Sequence, residues 1–116
     1  MSEDIRRHPR RITEHTIVVE DVISQSQLGT VSDLSETGMM LVTRQTIGEE
    51  SLYQCLLHFP AALNMGDSIS VGCQELWSET SSLDGLTIVG FRFIDIAPED
   101  TQRIRKWVHE PGSRYA

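Results

Sequence analysis

The sequence predicts an all-β core, a small six-stranded antiparallel barrel, closed off by one C-terminal α-helix. Three observations support it. β-branched or alternating apolar runs recur from residue 15 to residue 94, separated by short polar or glycine-bearing turns. One stretch only, following Pro98, changes to helical spacing. The chain has 116 residues, 39% of them hydrophobic, which suits a single domain with one modest core. Residues 1–12 are expected to form a flexible N-terminal arginine segment, residues 13–110 the barrel with its helix, and residues 111–116 a tail.

The elements follow in order. Residues 15–23 are rich in Thr, Ile and Val and predict the first strand. Residues 28–32 and 39–43 flank a polar turn as an antiparallel pair. Residues 53–59 place Tyr53, Cys55, Leu57 and Phe59 on one parity, and Pro60 stops that strand. Residues 68–77 carry Ile69, Val71, Cys73 and Trp77 on one parity, which assigns Trp77 to the core, with stacking on a ligand base as the alternative. An acidic, serine-rich loop over residues 78–85 leads to the last strand, residues 86–94. Pro98 then suits a first helical turn, with Glu99 and Asp100 facing the positive end of the helix dipole. Ile104, Trp107 and Val108 form its apolar face, and Pro111-Gly112 ends it. Cys55 and Cys73 fall in mid-strand and are expected as buried free thiols.

Charge is distributed unevenly. Ten Lys+Arg oppose 17 Asp+Glu, a net charge of -7, yet four arginines share the hexapeptide Arg6-Arg7-His8-Pro9-Arg10-Arg11. Guanidinium pairs bidentately with phosphate or a purine edge, so this cluster suits an anionic, purine-like ligand; a solvated basic tail is the alternative. Pro9 disfavours helix here, and in an extended segment Arg6 and Arg10 stand up to about 14 Å apart, far enough to grip different parts of one ligand. Downstream, Asp33-Leu34-Ser35-Glu36-Thr37-Gly38 lies between two strand patterns. Asp33 and Ser35 can bond the backbone of a turn, and Gly38 can supply a positive φ.

Arg-x-x-x-Arg at Arg6 and Arg10, followed by Asp-x-Ser-x-x-Gly at Asp33, Ser35 and Gly38, resembles the PilZ domain family of cyclic di-GMP receptors. The resemblance extends from about residue 6 to residue 108 and includes Gly90-Phe91-Arg92-Phe93. It implies a barrel with a C-terminal helix, and cyclic di-GMP as ligand rather than a cofactor. It further implies that Arg6 and Arg10 meet phosphates and guanine edges, Asp33 accepts from guanine N1 and N2, Ser35 adds a hydroxyl contact and Gly38 holds the turn. Arg7 and Arg11 repeat the spacing one residue on, so Arg7 is included and the shifted register stays open. A ligand bridging a mobile arginine segment to a fixed hairpin would order the segment and signal through a downstream protein partner. The alternative is a PilZ-type protein-interaction module that binds no ligand.

Other classes fit less well. His8, His15, His58 and His109 are scattered without metal-ligand spacing, Ser35 lacks a nucleophile elbow, and Lys106 is the only lysine, so no phosphate loop with its lysine is present. A non-enzymatic role is expected. A polyanion such as DNA or RNA should be repelled by the net charge, whereas a small dianion needs only local cations, remote charges being screened over about 8–10 Å. No apolar run approaches the roughly 20 residues of a membrane helix and the first residues are charged, so a cytoplasmic protein without membrane insertion is expected.

Overall fold

The computed structural model describes residues 8–116. Seven strands are present: β1 (Arg11–Ile12), β2 (Val18–Asp21), β3 (Ser26–Leu34), β4 (Gly38–Thr43), β5 (Leu52–His58), β6 (Ile69–Thr80) and β7 (Thr87–Ile96). A 3-10 turn, Ala61–Leu63, precedes β6, and helix α1 spans Pro98–Val108. The strands run β3-β2-β5-β6-β7-β4 and β4 pairs back to β3, closing a six-stranded antiparallel barrel with β1 added beside β3. Closure leaves no open edge in the barrel itself.

Inward side chains of every barrel strand fill the interior. Val19, Leu28, Val31, Leu41, Cys55, Leu57, Ile69, Val71, Val89 and Phe91 are all buried. Helix α1 has Pro98 in its first turn and presents Ile104, Trp107 and Val108 to the same core. Arg103 fastens it, donating to the carbonyls of Met65 and Asp67 in the loop before β6 and pairing with Asp100. Cys55 and Cys73 are buried free thiols with their Sγ atoms 3.9 Å apart. The Cys55 hydrogen bond, then burial, push the Cys73 thiol well above its ordinary value, so both act as small hydrophobes.

Four expectations change. Arg11 and Ile12, assigned to the flexible segment, form β1 opposite Leu34 and Asp33. Residues 113–116, expected as a tail, return along β1, with Arg11 bridged to Tyr115. Trp77 is not in the core. The β6–β7 register slips between Glu75 and Trp77, a bulge that buries Glu75 and leaves Trp77 43% exposed. Glu75 tolerates burial because its carboxylate accepts from the Glu50 amide and the Ser78 hydroxyl.

Gly38 is the fourth. Positive φ occurs among the described glycines at Gly66, Gly85 and Gly112, not at Gly38. Gly38 opens β4 opposite Arg92, and a Cβ there would lie 2.3 Å from the Phe91 carbonyl oxygen. Close backbone approach, rather than turn conformation, requires the glycine. Gly38→Ala should therefore cost about 1–3 kcal/mol as an overpacking defect in backbone that cannot yield, read as a lower urea midpoint at unchanged m-value.

Candidate functional site

The site forms where β3 ends. Asp33 is the penultimate residue of β3 and only 2% exposed, because β1 covers one edge of that strand and β4 the other. Its pairing partner Ile12 lies on the same face, and Arg10, two residues before Ile12, is the diagonal neighbour. Arg10 Nε stands 4.0 Å from Asp33 Oδ1. Both atoms are buried without a hydrogen-bond partner. Burial raises the Asp33 pKa, opposed by the Arg10 charge.

The turn after Asp33 sustains itself. Ser35 Oγ accepts from the amides of Thr37 and Gly38 at 3.1 and 3.2 Å, and the Ser35 amide donates to the Gly38 carbonyl at 2.9 Å. The hydroxyl that the sequence offers to a ligand is engaged in holding the turn. Glu36 is clamped by Arg105 of α1 through two 2.8 Å hydrogen bonds, with His8 Nδ1 at 3.7 Å. The Arg105 hydrogen bond keeps the Glu36 carboxyl below its ordinary range.

A cleft of about 170 Å³ opens beside the turn, lined by Arg10, Ser35, Gly38, Met40, Trp77, Gly90 and Arg92. Met40, Gly90 and Trp77 are one cross-strand row. The indole lies across Gly90 so closely that a Cβ there would sit 2.3 Å from Trp77 Nε1. Arg92 flanks it, its guanidinium oriented by Gln74 Oε1 at 2.8 and 3.1 Å. An aromatic plate and two arginines thus line one opening, with the buried Asp33 carboxylate behind Arg10, a donor and acceptor set suited to an anionic, base-bearing ligand. A larger groove, of about 380 Å³ between Gln27, Thr30, Thr43 and Arg44, has one cation and no buried unpartnered group.

The structure brings together four of the six residues expected from sequence: Arg10, Asp33, Ser35 and Gly38. Arg6 and Arg7 lie outside the described residues. Arg11 faces away from the cleft, 4.4 Å over the Trp107 ring and donating to the Trp107 carbonyl, so only Arg10 of the described arginine segment faces Asp33. Sequence reasoning did not assign Arg92 or the Glu36–Arg105 clamp, and it put Trp77 in the core. Two signals bore on Trp77: a charged Glu75 at an inward parity position, and a mid-strand glycine at residue 90 that leaves room for a side chain to lie across it.

The family model described as the PilZ domain matches residues 4–110. The chain belongs to the PilZ domain family. No curated protein matches it. Among solved structures, the PilZ fold is shared with the Bacillus subtilis inhibitor of motility MotI/DgrA, at TM-score 0.70 and 12% identity over 88% of this chain and 48% of that one. The PilZ domain of YcgR from Escherichia coli, solved with c-di-GMP, aligns at TM-score 0.65 and 18% identity over 87% of this chain and 86% of that one. The K. pneumonia MrkH–c-di-GMP complex aligns at TM-score 0.67 and 18% identity over 87% and 49%. The chain therefore spans about half the length of MotI and MrkH. No helix among the described residues is long and apolar enough to cross a membrane.

Asp33 carries a stability cost. A carboxyl whose pKa is raised by folding binds its proton more tightly in the native state, so its contribution worsens as pH rises from the ordinary Asp value through the raised one. Asp33→Asn should accordingly melt at or above the temperature of the parent near neutral pH. The gap should close as pH falls towards the ordinary Asp value, in thermal melts taken across that range.

Proposed function

We propose that this PilZ domain is a cyclic di-GMP receptor that catalyses no reaction and passes its signal to a protein partner. The observation that carries the reading is the buried Asp33 carboxylate, its Oδ1 without a hydrogen-bond partner, held beside Arg10, which lines the Trp77 cleft. Guanine supplies what that carboxylate lacks, the N1 and N2 hydrogens, while its O6 and N7 accept from arginine. Adenine would present an N6 donor where guanine has O6, leaving an arginine unpaired. The ligand's two phosphates need a local group of cations, and Arg10 and Arg92 border the cleft; Arg6 and Arg7 are proposed to add to them. Membership of the family and the c-di-GMP complexes of YcgR and MrkH support the same ligand.

Ordering of the arginine segment on binding belongs to the residues before Arg10, whose carbonyl already accepts from the Ala116 amide. The Ile12 and Thr13 amides already donate to Arg114 and Ser32 carbonyls without ligand. Amides upstream of Arg10 should gain protection from hydrogen exchange on saturation, creating the changed surface a partner would recognise.

Calorimetric titration with cyclic di-GMP, using cyclic di-AMP and GTP as controls, tests the receptor reading. Charge-assisted hydrogen bonds contribute about 1.5–3 kcal/mol each, so Arg10→Ala should bind at least roughly tenfold more weakly. An absence of heat and of any melting shift at high micromolar ligand would instead favour the ligand-free interaction module.

A further inference from the structure

We propose that residues 113–116, the segment that follows α1, position the arginine segment for its ligand by acting as the outer neighbour of β1. This inference rests on the receptor reading above. Strand β1 is two residues long, pairing Arg11 with Leu34 and Ile12 with Asp33. So short a strand gains little order from a single neighbour. Its other edge is occupied: the Ile12 amide donates to the Arg114 carbonyl at 2.8 Å, and the Ala116 amide donates to the Arg10 carbonyl at 3.0 Å.

The returning segment is itself anchored to the end of α1. Tyr115 donates its hydroxyl to the Val108 carbonyl at 2.7 Å, Ser113 donates to the Glu110 carbonyl at 2.6 Å, and Arg114 pairs with Glu14 at 3.3 Å. Between the two edges, Arg11 packs on Trp107. Alternation along a strand then fixes the rest. With Arg11 committed to the helix side, Arg10 must point to the opposite face, towards Asp33; a slip of one residue would exchange them. The segment after the helix therefore sets both the order and the register of Arg10. The entropic cost of fixing Arg10 is met during folding, which leaves less to be met on binding.

Two variants test this. Deletion of residues 113–116 removes the outer neighbour, and Ala116→Pro removes only the donor to the Arg10 carbonyl. Each is titrated with cyclic di-GMP by calorimetry, melted without ligand, and followed by hydrogen exchange at Ile12. The deletion should bind about tenfold more weakly, with the loss in binding entropy rather than enthalpy. Its Ile12 amide should exchange faster without ligand and recover protection at saturation. Ala116→Pro should show a smaller loss of affinity in the same direction, with the barrel melting as before. Affinity equal to that of the intact chain in both variants would overturn the positioning role and leave the receptor reading standing. An intact chain that gives no heat would instead remove the receptor reading, and the positioning role with it. If the deletion unfolds the barrel, Ala116→Pro decides alone, and unchanged affinity there overturns the proposal.

Discussion

Strand β3 is paired along both edges, and the site depends on that constraint. One edge takes β4; the other takes β2 over its first half and β1 at its end. Enclosed in this way, the strand buries the Asp33 carboxylate one residue from its end. The irregularity between Val31 and Asp33 in the β3–β4 ladder marks where the strand leaves regular pairing. Bulges of this kind re-aim side chains at the rims of barrels. Burial of Asp33 and closure of the barrel are thus two results of one pairing pattern.

The electrostatic design is local. In an acidic chain, an anion is attracted only where nearby carboxylates are neutralised. Glu36 is the acidic side chain inside the signature turn, and Arg105 occupies both its oxygens. A half-exposed ion pair of this kind adds little to stability. Its larger effect is to neutralise the turn and to tie it to α1, so that the face presenting Asp33 and the helix carrying Trp107 move as one unit.

Much of the architecture could be foreseen from periodicity. Alternating residues in β5, β6 and β7 and the apolar face of α1 placed most of the core, because those patterns answer to a single constraint, water on one side and packing on the other. The paired signature motifs named Arg10, Asp33, Ser35 and Gly38, which the fold places near one another. What escaped was set by contacts distant in sequence. Arg11 is a strand residue because β3, Trp107 and Tyr115 surround it, 23 to 104 positions away, and no local signal announces that. Gly38 was expected to serve turn conformation, whereas the crowding that requires it comes from Phe91 on another strand. Trp77 turned outward because a bulge inverts parity, and strict alternation cannot anticipate an inserted residue.

The opposite surroundings of Trp77 and Trp107 divide the chain optically. One indole is 43% exposed beside the cleft; the other is 2% exposed, capped by the Arg11 guanidinium. Their emission should differ accordingly, red-shifted and open to collisional quenchers for Trp77, blue-shifted and shielded for Trp107. A nucleobase stacking in the cleft would alter the first signal and leave the second as an internal reference. The protein thus contains its own two-colour reporter, one native fluorophore open to the cleft and the other registering folding.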